Sequence, residues 1–88
     1  MEKQIIKFWS NGCGNCKALE PIMAEVKAEH KEIKFADVNT SNGGDDAAKY
    51  DVMTLPTLVF LKDGQMAGKI AGLKPKSLID KKILEFFN

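Results

Sequence analysis

The 88-residue chain is 44% hydrophobic and 28% charged, which excludes a disordered polymer and suits one small globular domain, residues 1–88, with a modest core. Net charge is +1 and all 13 basic residues are Lys; without Arg, the usual reader of guanine edges and phosphates, no nucleic-acid partner is expected. No stretch nears the roughly 18 consecutive apolar residues of a membrane span. Met1–Lys7 has neither a long apolar core nor a small-residue cleavage pattern, so no membrane partner is expected and the cytoplasm is the expected compartment.

Gln4 to Trp9 is apolar and aromatic around Lys7, short enough for a strand buried on both faces. Ser10-Asn11-Gly12 is turn chemistry. A helix is predicted from near Cys13 to about Glu29, because Leu19, Ile22, Met23 and Val26 recur at helical spacing with Lys17, Glu20, Glu25, Lys27 and Glu29 opposite. Pro21, lacking an N–H, is expected to kink it. Ile33 to Val38 alternates as a second strand; Asn39 to Gly44 reads as a polar loop, and Asp45 to Tyr50 as a short helix.

Thr57 to Leu61 is a third, fully apolar strand. Lys62-Asp63-Gly64-Gln65 is a hairpin signal, since Asp-Gly tolerates positive φ, and Met66 to Ala71 is the partner strand. Gly68 and Gly72 mark bends or close approaches. Pro75 opens a last helix with the apolar set Leu78, Ile79, Ile83, Leu84, Phe86 and Phe87. The order β-α-β-α-β-β-α predicts an α/β fold with a four-stranded mixed sheet flanked by three helices, its first two strands parallel.

Cys13-Gly14-Asn15-Cys16 admits three readings: a redox pair, half of a metal site, or two core thiols. The pair falls where a strand ends and a helix begins, and the unpartnered N–H groups and dipole of a helix's first turn favour a thiolate there. Cys13 at the mouth suits the attacking thiol and Cys16, nearly a turn further in, the resolving thiol of a two-step exchange. Gly14 is expected to let the chain bend between them, and Asn15 is a polar, turn-tolerant residue. His30, the one histidine, is expected about 20 Å away along the helix and solvated, so it cannot complete a zinc site within one chain. A two-cysteine soft-metal site for Cu(I) or Zn, as in a metal carrier, stays open, as does a binding module in which redox activity is incidental.

"FWSNGCGNCKALEPIM" resembles the active-site segment of the thioredoxin family: Phe-Trp, three residues, Cys-Gly-Pro-Cys-Lys, then a Pro five residues after the second Cys. Phe8, Trp9, Cys13, Gly14, Cys16, Lys17 and Pro21 match, "LPTLVFLKDGQ" is similar to the family's cis-proline segment and hairpin, and "GKIAG" to its strand ending at Gly. The resemblance implies the thioredoxin fold, a thiol–disulfide oxidoreductase reducing protein disulfides, and a cis Leu55–Pro56 bond packed against the cysteines. It implies that Leu55 offers its backbone to substrate; Trp9 reads as a partly buried structural residue near the disulfide and only secondarily as a substrate contact. Disulfide-containing proteins are the implied substrates, a flavoprotein disulfide reductase the implied electron donor, the dithiol the only redox group with no other cofactor and no metal, and a monomer the expected state.

Several residues depart from that pattern. The sequence starts at the central strand, without the family's extra N-terminal strand and helix, at a size nearer glutaredoxins. Their Gly-Gly-acidic glutathione signature is replaced by Gly72-Leu73-Lys74-Pro75, which makes glutathione a less expected partner. Gly12 stands where the family usually has Trp, and Asn15 where it has Pro. Lys7 stands where the family has a buried Asp; it either points under the active site, where an ammonium favours a Cys16 thiolate and burial readies the lysine to accept a proton, or snorkels its amine to solvent. Met23, Met53 and Met66 read as core fillers, Tyr50 as a packing residue of the second helix, and Lys74, Lys76, Lys81 and Lys82 as a solvated helix face.

Overall fold

A strand over Lys3–Trp9, β1, runs through the middle of the structure and has a partner on each side. It pairs in parallel with β2, Lys34–Asn39, and antiparallel with β3, Thr57–Lys62, which continues through a hairpin into β4, Gln65–Ala71. The sheet order is therefore β2-β1-β3-β4. This computed structural model describes residues 1–42 and 46–88. The expected loop through Gly43 and Gly44 and the helix start at Asp45 lie outside the described residues.

Helices α1, Gly14–Glu29, and α3, Lys76–Phe87, cover one face of the sheet, and the single turn α2, Asp46–Lys49, belongs to the other. Strand alternation sorts the side chains. Ile5, Leu58, Phe60 and Ile70 meet Leu19, Met23 and Val26 of α1 and Ile79, Ile83 and Phe87 of α3. Phe8, Val59 and Leu61 meet Val38, Ala47, Tyr50, Val52 and Leu55 on the opposite side. β3 is buried from Thr57 through Leu61, which is why Leu58 to Leu61 is an unbroken apolar run and the hydroxyl of Thr57 is satisfied by the Thr54 carbonyl. α1 runs through Pro21 without ending, because that residue sits on the exposed side and the missing N–H costs one hydrogen bond of many.

The hairpin turn takes positive φ at both Asp63 (52°) and Gly64 (84°), the twist that suits a two-residue turn. Register then shifts by one: Phe60 faces Gly68 and Leu61 faces Met66, leaving Ala67 as the extra residue of a bulge. Gly68 is a close approach, since a Cβ there would lie 2.5 Å from the Phe86 ring, which itself stands edge-on to Phe60 with centroids 5.0 Å apart.

Four expectations need correction. Leu84 is 72% exposed, because the core stripe of α3 is the narrow Ile79–Ile83–Phe87 line and the next residue turns about 100° away from it. Met53 and Met66 are exposed at the surface, and only Met23 fills the core. Lys76 is not merely solvated. Its Nζ lies 2.7 Å from Asp80 Oδ2 and 2.8 Å from Glu29 Oε1, tying the start of α3 to the end of α1. His30 joins the same cluster, with Nε2 3.3 Å from Asp80 Oδ1 and Nδ1 3.5 Å from Glu32 Oε2.

Burial pushes the Asp80 carboxyl up, but hydrogen bonds from Lys76 and His30 outweigh it and hold the group below its ordinary value. The Asp80 and Glu29 carboxylates hold the Lys76 ammonium well above the usual lysine range. A depressed carboxylate contributes stability above its unfolded-state value, about pH 4, and loses it as pH falls through the folded one. Raised Lys76 is fully stabilising below about pH 10.5 and loses that contribution as pH climbs through its folded value. Asp80→Asn should therefore lower the thermal midpoint at neutral pH and converge with the parent in acid; curves parallel down to pH 2 would contradict this. Gly68→Ala should cost about 1–3 kcal/mol in urea unfolding through the clash with Phe86, and much less in a Phe86→Leu background.

Candidate active site

β1 ends at Trp9, and the turn that follows is held by the loop after β2. Thr40 Oγ1 donates to the Trp9 carbonyl at 3.0 Å, Asn11 N donates to Ser41 Oγ at 2.9 Å, and Asn39 Nδ2 donates to Asn11 Oδ1 at 3.2 Å. Ser41 N closes the set by donating to Asn39 Oδ1 at 2.9 Å. In sequence these residues are marked only by a run of Asn, Thr and Ser within an expected polar loop; their role in holding the turn comes from the tertiary pairing of β1 with β2. Gly12 adopts φ +78° with open space where a Cβ would go. Backbone conformation alone thus accounts for Gly at this position.

Cys13 is the N-cap of α1, with extended backbone (φ −85°, ψ 105°), and its Sγ accepts a hydrogen bond from Cys16 N at 3.1 Å. A disulfide joins the two cysteines. Cys16 is 3% exposed against the core, whereas Cys13 remains partly open. The asymmetry follows from helix geometry: three residues past the cap, the chain has turned back over the sheet. Gly14 and Asn15 lie exposed in the first turn, and Gly14 has no positive φ and no close neighbour, so the tight bend expected of it is absent.

A pocket of about 300 Å³ opens beside the disulfide, between the end of β1 and the first turns of α1. Lys7, Trp9, Gly12, Cys13, Cys16 and Glu20 are among the residues that line it. Lys7 does not snorkel: its side chain is 11% exposed and its Nζ stands 3.7 Å from Asp37 Oδ1. The Leu55–Pro56 bond is cis. These two residues do not line the pocket; they arrive at the same end of the sheet through Thr57, which pairs with Phe8. Pro56 is buried, its carbonyl accepts from Gly72 N at 2.7 Å, and Thr57 Oγ1 donates to the Thr54 carbonyl. Among the described residues, no three His, Cys, Asp or Glu side chains gather to hold a metal ion.

A β2-β1-β3-β4 sheet with a Cys-x-x-Cys disulfide where its central strand hands over to a helix defines a class of dithiol exchange proteins, and comparisons with known proteins agree. The thioredoxin family model matches residues 1–85. The chain is similar to thioredoxin of Staphylococcus aureus, 36% identical over 74 residues that make up 83% of this chain and 71% of that one. Among solved structures, mitochondrial thioredoxin 3 from Saccharomyces cerevisiae in its oxidized form superposes with TM-score 0.88 at 30% identity, covering 96% of this chain and 78% of that one. Thioredoxin NaTrxh from Nicotiana alata gives TM-score 0.89 at 28% identity, covering 99% and 75%. The chain belongs to the thioredoxin family. With its Cys13–Cys16 disulfide it is a protein-disulfide oxidoreductase.

Gly12→Ala should destabilise the oxidised protein by about 1–2 kcal/mol, the cost of a left-handed backbone for a residue with a Cβ. Equal urea midpoints for the two proteins would contradict that assignment.

Proposed function

We propose that the protein reduces disulfides of other proteins, with Cys13 as nucleophile and Cys16 as resolving thiol. The observation that carries this reading is the unequal setting of the two sulfurs, Cys13 partly open at the helix mouth and Cys16 covered. In the reduced protein the Cys13 thiolate would receive the Cys16 N–H already aimed at its sulfur, together with the positive end of α1. Attack on a substrate disulfide breaks that bond, releases one substrate thiolate and leaves Cys13 in a mixed disulfide. Cys16 then attacks Cys13 Sγ, forms the intramolecular disulfide and releases the second substrate thiolate.

Leu55 lies outside any strand, just before buried Pro56, so its backbone suits a short antiparallel pairing with an extended substrate. Half-buried Trp9 at the pocket wall is the second contact. Gly12 and Asn15, where the family pattern that the sequence resembles has Trp and Pro, leave a low wall beside the thiol and tune the exchange. A flavoprotein disulfide reductase is the proposed electron donor. The protein is proposed to work as a single-domain monomer in the cytoplasm, with no group beyond its dithiol.

Insulin reduction with dithiothreitol as donor tests the reading. Cys13→Ser should lower the rate by at least about 100-fold, as loss of a nucleophile does. Cys16→Ser should accumulate mixed disulfides through Cys13, visible by non-reducing electrophoresis and mass spectrometry. A parent protein inactive on insulin, or a Cys16→Ser variant that traps nothing, would overturn it.

A further inference from the structure

Alternation along β1 decides where Lys7 goes. Ile5 turns to the α1–α3 face while Ile6 and Phe8 turn to the other, so Lys7 points beneath the first turns of α1. There it shares a pocket wall with Cys16. An ammonium with 11% of its side chain exposed needs a counter-charge, and its register partner on β2 supplies one: Asp37 Oδ1 lies 3.7 Å from Nζ. The two partners are sheltered unequally, for Asp37 is 48% exposed and keeps much of its hydration. Among the described residues, the other charges that face the pocket are Lys17 and Glu20 of α1; the β3 neighbour, Leu58, has none.

We propose that Lys7, positioned by Asp37, is a fixed cation that stabilises the thiolate of Cys16. This rests on the reading of Cys16 as the resolving thiol. The resolving step needs Cys16 deprotonated; its proton passes to water in the pocket, since a protonated lysine has no lone pair to take it. The thiolate then forms the bond to Cys13 Sγ as the bond from Cys13 to the substrate sulfur breaks, and the departing thiolate collects a proton from water. Lys7 thus acts by charge, and Asp37 is a positioning residue that keeps the charge under α1 instead of letting the long side chain reach solvent.

The experiment isolates Cys16 in a Cys13→Ser protein and follows its thiolate by ultraviolet absorbance against pH, with thermal unfolding as a check on each variant. Lys7→Met should reduce the acid dissociation constant roughly tenfold, one pH unit in midpoint, and Lys7→Arg should restore most of it. In an Asp37→Asn background the Lys7→Met effect should shrink. Unchanged midpoints in folded Lys7→Met or Lys7→Gln proteins would overturn the role of Lys7, and a full-sized effect without Asp37 would overturn the tether. The titration needs neither substrate nor donor. Failure of insulin reduction beside an intact Lys7 effect would therefore overturn the proposed reductase and not the cation.

Discussion

Pairing of β1 on both edges is the constraint from which the site descends. A strand held in parallel by β2 and antiparallel by β3 cannot slide by one residue without exchanging its faces, which would drive Lys7 into the α2-side cluster and Phe8 beneath α1. Register thus fixes three things together: the point at Trp9 where the chain leaves the sheet, the placement of Cys13 as the cap of α1, and the direction of the one charge in the middle of the strand. The turn between Trp9 and Cys13 then needs only local ties, which the Asn39, Thr40 and Ser41 side chains provide from the neighbouring strand's end.

Chemistry at the two sulfurs is divided by the same geometry. Cys13 receives a backbone N–H because a cap residue always faces the open donors of the first turn. Among the described residues, none donates to the Cys16 sulfur, which lies inside the helix beside the pocket wall. A polar backbone serves one sulfur, and a side chain from the sheet lines the same pocket as the other. That division lets the two be adjusted by different residues.

Much of this was legible in the residues. The strands and helices follow from period: β3 from the apolar run Leu58 to Leu61, α1 from Leu19, Met23 and Val26, the hairpin from Asp63-Gly64. The redox pair was legible from its place between strand and helix together with the distant Leu55-Pro56-Thr57 segment. What stayed illegible depends on tertiary neighbours. Periodicity names the face of a residue but not what covers it, so Lys7 could be left buried or snorkelling until β2 supplied Asp37. His30 looked solvated because nothing in the sequence brings Asp80 and Lys76 to the end of α1. Met53 and Leu84 are apolar by composition and exposed by position, and Gly12 looked like a missing ring when its backbone is what demands glycine.

The bulge at Ala67 acquires a meaning at the level of aggregation. A protein whose substrate is proposed to pair with it as a strand carries a hazard, since any sheet border with free N–H and C=O groups invites the same pairing. β4 is one such border, and the extra residue interrupts its ladder near mid-strand. Beyond it, Lys69 swings across to the carbonyls of Tyr50 (3.2 Å) and Asp51 (2.6 Å), placing a charged arm over the same side of the sheet. The bulge and the charged arm thereby blunt one border, while Leu55, where the proposed substrate pairing would take place, lies outside any strand at the end of the sheet that holds the sulfurs.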